Sequence, residues 1–426
     1  MIASPPVRSV ADRPAGTLAV AAAIAGNTLE WFDFTVYGLF SIYIAKAFFP
    51  AESELASLLA TLATYGVGFV LRPFGAIVLG QYADRAGRRA ALTLIIFLML
   101  IGSAIIAFAP TYARIGAAAP ALIVLARLIQ GFSVGGEMGG ATAYLIETAP
   151  ADRRGLYASW QYAGQAGAAL GGALLAFALT RMLGAQAVYD WGWRIPFILG
   201  LSIAPIGLYL RTRVPETPVF LTERQRGRAP IVVLWQAHRA ALLQTFCLTI
   251  QLTACTYLLV IYMPTFAVHA LGATTDTAFR AASVASLLYL VMNPVAGHLS
   301  DAVGRPRQML AASLALALLV YPAFLLMARH PTAPVLTIVS GLMAMALSMY
   351  TGPSAAQAGE MFPPAVRSTG LSLSYNIAVP IFGGFAPYFV TRFDTGDHLA
   401  PAWYMIACAV PTLATLIWMR AARPKG

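Results

Sequence analysis

Charge is what this 426-residue sequence has least of: Asp, Glu, Lys and Arg make up 11% of it, against 59% hydrophobic residues. A soluble protein of this size needs more polar surface than that to coat itself, which excludes water as its solvent. Cysteine is scarce as well. Cys247, Cys255 and Cys408 lie inside apolar stretches without paired or metal-ligand spacing, so no disulfide framework, redox pair or metal site is implied, and they read as buried packing residues. No His, Cys or Ser constellation and no phosphate loop is present, so the sequence does not read as an enzyme and no cofactor beyond a coupling proton is expected. Nor does a small-residue cleavage pattern follow the first hydrophobic run, which is too long for a signal-peptide core; the amino terminus is expected to stay attached.

Long apolar runs are abundant instead, each of roughly 20 residues or more and able to cross a hydrocarbon core about 30 Å thick as a helix. They cover approximately 17–46, 54–80, 90–109, 118–146, 155–180, 193–213, 240–268, 277–299, 309–328, 334–358, 367–391 and 400–420. The pattern predicts an all-α membrane protein of twelve transmembrane helices.

The net charge of +11 is explained by topology rather than by nucleic acid. With the amino terminus in the cytoplasm, 19 of the 28 Lys and Arg fall on the cytoplasmic side, 7 outside and 2 within helices. That is the bias expected of a bacterial inner-membrane protein with both termini inside. The longest connection, 214–239, carries Arg224, Arg226, Arg228 and Arg239 and lies near the midpoint. It reads as a cytoplasmic linker between two six-helix halves, 1–213 and 240–426.

An internal repeat agrees with that division. GQYADRAGRR (80–89) returns as GHLSDAVGRPR (297–307), aligning Asp84 and Arg88 with Asp301 and Arg305 at an offset of 217. Glu147 lies seven residues before Arg154, and Glu360 seven before Arg367, at an offset of 213. Two motifs repeated at nearly one offset indicate duplicated halves related by an axis along the membrane normal, with the motifs in cytoplasmic connections.

The Asp and GRR cluster after the second helix, its weaker copy after the eighth, and ARLIQG (126–131) in the fourth resemble the signature of the major facilitator superfamily over nearly the whole chain. GNTLEWFDF (26–34), FVLRPFGA (69–76), RLIQGFSVGGE (127–137), GWRIPF (192–197) and PETPVF (215–220) together resemble its metabolite:proton symporter family. That resemblance implies carriage of citrate, tricarballylate, 2-oxoglutarate, shikimate, proline or betaine, and gives Asp84, Arg88, Asp301 and Arg305 structural or gating roles. FFPAESE (48–54) and the stretch 72–89 are similar to citrate and tricarballylate symporters, whereas GNTLEWFDF and SVGGE are similar to 2-oxoglutarate members. GQAGAALGG (164–172) lacks the Pro that marks many antiporters of the superfamily, which favours symport.

Ionisable side chains inside a bilayer survive mainly where they pair or face a watery cavity. Five qualify: Glu30, Asp33, Arg72, Arg127 and Glu137, all in the first half. Counted along their helices from the cytoplasmic boundary, Arg72 and Glu137 lie roughly 12 to 14 Å deep and the other three about 20 to 28 Å. This predicts two clusters: an Arg72–Glu137 pair for gating or structure, and a deeper trio in which Arg127 binds substrate and Glu30 or Asp33 carries the proton. Glu30 is the first choice, because it shares a helix face with Asn27, Phe34 and Tyr37. Gln130, Gln161 and Gln165 complete a polar lining.

Away from the span ends, where Arg280, Arg367 and Arg420 lie, the second half holds no Asp, Glu, Lys or Arg within its spans, so neutral donors and aromatic faces are its candidates: Tyr257, Tyr289, Asn293, Tyr350 and Asn376, followed by Gln251, Tyr262, Gln357 and Tyr375. Each also reads as a packing or interfacial residue. Pro264, Pro294, Pro353 and Pro380 are expected bend points, and His298 a loop residue. The function expected is proton-coupled import of a small organic anion, a di- or tricarboxylate, by a monomer rocking around a midplane site in the lipid bilayer. Uptake of a zwitterion or shikimate, and a receptor that does not transport, stay open.

Overall fold

The computed structural model describes residues 17–86, 88–135, 138–202 and 230–421. Among them the regular elements are helices, as long apolar segments must be where lipid offers the backbone no hydrogen bonds. The spanning helices are α1 Thr17–Leu39, α2 Glu54–Leu79, α3 Arg88–Phe108, α4 Ala118–Thr148 and α5 Arg154–Leu183. Helix α6 begins at 195 and is described to 202. The second half contains α7 Arg239–His269, α8 Thr275–Val303, α9 Arg305–Arg329, α10 Ala333–Glu360, α11 Pro364–Arg392 and α12 Ala400–Ala421. Nine of these are long and apolar enough to cross a membrane on the described residues alone. Every span read from the sequence has its helix, with 203–213 of the sixth lying outside the described residues. The first ends sooner than expected, because the chain breaks at Phe40 and restarts as the short helix Ser41–Phe48.

Small residues set the packing. An added Cβ on Gly131 of α4 would strike the Gly68 carbonyl of α2, one on Gly75 the Phe132 carbonyl, and one on Gly135 the Arg72 carbonyl. Helices α2 and α4 therefore touch backbone to backbone, the close approach by which membrane helices gain contact. Gly155 of α5 and Gly297 of α8 meet in the same way across the two halves.

Two of the four expected bend points coincide with widened turns. The backbone opens to π-helical spacing at Tyr257–Tyr262 just before Pro264, and at Val379–Gly384 around Pro380. A proline removes one backbone donor and crowds the preceding turn, and such bulges absorb the misfit. Helix α2 breaks at Leu71, ahead of Pro73, for the same reason. His298 lies on the exposed side of α8 rather than in a loop, since α8 runs on to Val303, where Gly304 at φ 93° turns the chain. Of the expected linker, Pro230–Ala237 is a helix and 214–229 lies outside the described residues.

Candidate functional site

Helix α1 presents Trp31, Phe34 and Tyr37 at three-residue spacing, and two arginines from neighbouring helices lie on those rings. The Arg127 guanidinium of α4 is 4.4 Å from the Phe34 centroid, 4.5 Å from Tyr37 and 5.3 Å from Tyr65. The Arg72 guanidinium of α2 is 5.0 Å from Phe34, 5.5 Å from Trp31 and 4.6 Å from Phe69. Both arginines are buried, at 0% and 1% exposure. Gly68 leaves room for Arg127, whose Nε and Nη2 would lie 3.1 Å from an added Cβ there.

The expected separation of Arg72 from Arg127 is thereby corrected: both rest on Phe34 in one site. Counting backbone rise misplaces Arg72 because a long helical side chain leans back toward its own amino terminus. Its guanidinium lies over Phe69, one turn back along α2 and away from the basic face. The proposed partner Glu137 lies outside the described residues, as do the side chains of Asp84 and Arg88.

A hydrogen-bonded chain leaves Arg127. Its Nη1 donates to Gln130 Oε1 at 2.8 Å, Gln130 Nε2 donates to Ser103 Oγ at 3.0 Å, and Ser103 donates to Asp33 Oδ2. Ser103 on α3 escaped the sequence reading. Its only signal is a small hydroxyl beside Gly102 in an otherwise apolar run, and Gly102 is where α3 makes space for Gln130. Four donor atoms of the arginines, Nε and Nη2 of each, and Asp33 Oδ1 have no hydrogen-bond partner among the described residues. Glu30 is buried one turn below Asp33. Tyr375 of α11 is near Glu30 and is a hydrogen-bond neighbour of Arg72.

Tyr257 brings the second half to these rings. Its own ring lies 5.4 Å from Phe69, 6.1 Å from Tyr65 and 6.2 Å from Trp31. Gln165 is buried with its Nε2 unpartnered.

The other expected lining residues spend polar groups on holding helices together. Asn27 and Gln161 bond twice, at 3.0 and 2.9 Å, tying α1 to α5. Asn293 donates to the Tyr289 carbonyl and accepts from Thr351, each at 2.8 Å. Tyr350 donates to the Leu248 carbonyl at 2.7 Å, Gln251 bonds Ser313, and Tyr262 bonds Thr391. Asn376 donates to the Gly135 carbonyl at 2.6 Å and so links the halves.

The halves close on both sides of the arginines. At the basic face Asp301 accepts from the backbone N–H groups of Gly155 at 2.8 Å and Leu156 at 3.0 Å, and pairs with Arg305 at 3.0 Å. Arg305 also pairs with Glu360, Arg154 reaches Glu360 at 3.8 Å, and Arg367 reaches Glu147 at 3.2 Å. At the opposite face Ser41 bonds Thr265 at 2.9 Å, Arg181 pairs with Asp276 at 2.8 Å, and Phe279 stacks on Phe40. This is an occluded arrangement: among the described residues, buried donors and the carboxylates of Asp33 and Glu30 lie between two closed gates, groups of the kind that hold an anion and move a proton.

A family model described as "Sugar (and other) transporter" matches residues 18–234, and one described as "Major Facilitator Superfamily" matches 270–426. The chain is 37% identical to the citrate-proton symporter of Salmonella typhi over 415 residues, 96% of either chain. It is 36% identical to the alpha-ketoglutarate permease of Escherichia coli (strain K12), over 92% of this chain and 91% of that one. It is 34% identical to the proline/betaine transporter of Salmonella typhimurium, over 94% and 83%. In fold it is similar to the xylose transporter XylE from E. coli, with a TM-score of 0.76 at 19% identity over 96% and 97% of the chains.

Proposed function

The chain belongs to the major facilitator superfamily, and from that premise we propose that it imports a small organic anion together with a proton by alternating access, the anion being a di- or tricarboxylate such as citrate, tricarballylate or 2-oxoglutarate. As a multi-pass protein of the bacterial inner membrane it has a proton gradient at hand.

The observation that carries this reading is the set of unpartnered donors on Arg127, Nε and Nη2, at 0% exposure. A buried donor without a partner costs about 1 to 3 kcal/mol, more on a charged group, and a carboxylate relieves two at once through the guanidinium fork. The names of the citrate and alpha-ketoglutarate relatives fit the same chemistry. The proton is assigned to Asp33, ahead of Glu30, because the Ser103–Gln130 chain connects its carboxylate to Arg127. When substrate takes Arg127, the balance of charge around Asp33 is lost and the carboxylate takes up a proton; by linkage, protonation favours substrate binding equally.

Uptake into proteoliposomes, with and without an imposed pH gradient, tests this reading. Citrate, tricarballylate or 2-oxoglutarate should accumulate only with the gradient acid outside. Arg127→Lys should bind at least ~10-fold more weakly, since an ammonium lacks the bidentate fork. Asp33→Asn should exchange substrate across the membrane yet lose accumulation. Accumulation that ignores the pH gradient would remove the proton from the reading.

A second reading, uptake of a zwitterion such as proline or betaine, draws on the buried Asp33 carboxylate and on the aromatic rings around the arginines, which suit a cationic head. Competition of betaine with citrate in the same vesicles separates the two.

A further inference from the structure

Resting on the organic-anion reading, we propose that Arg72 is the residue that makes the site select two carboxylates over one, by holding the second carboxylate on the far side of the Phe34 ring from Arg127. The order of contacts along α1 supports it. Arg127 lies on Phe34 and Tyr37, Arg72 on Phe34 and Trp31. Trp31 and Tyr37 are six residues apart, about 9 Å of helical rise, so the guanidiniums sit on successive rungs of one ladder with Phe34 between them. One carboxylate that takes a guanidinium edge with both oxygens has none left for the other rung.

The donor geometry agrees. Each arginine leaves the same pair of atoms, Nε and Nη2, without a protein partner, and those two atoms form one edge of a guanidinium, the edge a carboxylate meets side-on. Two such edges call for two carboxylates. A monocarboxylate or zwitterion would satisfy Arg127 and leave the Arg72 edge buried and unpaired, at a cost that appears as lost affinity. Tyr375 of α11, next to Arg72, ties the second carboxylate to the other half of the protein.

The test is equilibrium binding to the purified full-length protein of butyrate and of the α,ω-diacids malonate, succinate, glutarate and adipate, on wild type, Arg72→Gln and Arg72→Lys. Wild type should bind its best diacid roughly 10- to 100-fold more tightly than butyrate, as expected for a charge-assisted pair, with affinity passing through a maximum along the series. Arg72→Gln should lose the diacid preference, with a far smaller loss of butyrate affinity than of diacid affinity, and Arg72→Lys should recover part of the preference. A flat series in wild type overturns the inference, and that measurement needs no variant to fold. Equal loss of butyrate and diacid in a folded Arg72→Gln also overturns it, by making Arg72 structural. Binding of none of these acids by wild type sinks the organic-anion reading itself.

Discussion

Glu147 of α4 reaches Arg367 of α11, 3.2 Å away in the other half, although an Arg stands seven residues ahead of it in its own sequence motif. The repeat copy behaves reciprocally, Glu360 meeting Arg154 at 3.8 Å. A motif that looks self-contained in sequence is therefore completed in trans, as two copies related by an axis between the halves would be. These exchanged pairs, with Asp301 on the amino terminus of α5, latch the basic face shut.

Weakening the latch should open that face. We expect Glu147→Gln to raise labelling of a cysteine placed at Ser159, buried between α5 and α8, by about tenfold, equal to about 1.4 kcal/mol of conformational bias. A reagent applied to the basic face of a variant lacking the native cysteines measures it. Exchanging the charges, Glu147→Arg with Arg367→Glu, should return labelling toward its starting rate.

Asp301 acts as a cap supplied by another helix. Its two oxygens take the first N–H groups of α5, so Asp301→Ala should cost about 1 to 2 kcal/mol. The melting temperature in detergent should fall accordingly. No change in melting would show that water replaces the carboxylate without loss.

Ser103→Ala removes one hydroxyl from the chain between Arg127 and Asp33 and alters no charge. Substrate binding should persist while accumulation per unit pH gradient falls. Full coupling in this variant would require another proton route, with Glu30 next.

Two glycines of α4 make a matched comparison for packing. Gly131→Ala drives a methyl into the Gly68 carbonyl and should cost about 1 to 3 kcal/mol. Gly140→Ala meets its nearest atom at 3.9 Å and should melt as wild type does.

We propose, from the placement of Lys and Arg, that both termini and the 214–239 connection face the cytoplasm. Reporters fused after Gly426 or within 214–229 should be active only in the cytoplasm. Activity of a periplasm-only reporter at either position would reverse the assignment.

The helices were legible in the sequence because hydrocarbon thickness imposes length and apolarity on every span, and the duplicated motifs are what suggest two halves. Arg127, Gln130 and Asp33 were legible as costly residues at depth. Which neighbour each one faces was not. Glu30 was preferred over Asp33 for sharing a face with Asn27, but that face turns Asn27 toward Gln161, whereas Asp33 at its edge meets Ser103. Nor can periodicity separate a tyrosine that ties helices, such as Tyr350 to the Leu248 carbonyl, from one whose ring enters the site, such as Tyr257. Both are buried aromatics with a hydroxyl, and only the neighbouring helix decides between them.

Gly68 and Gly131, with Gly75 and Gly135 one step along, bring α2 and α4 into backbone-to-backbone contact, so Arg72 and Arg127 are mounted on that joined pair of helices as on one beam. In the proposed alternating-access cycle the span between them is a fixed caliper and the opposite jaw, carrying Tyr257 and Tyr375, is the part that moves: the first half measures the cargo, and the second half decides when the measurement counts.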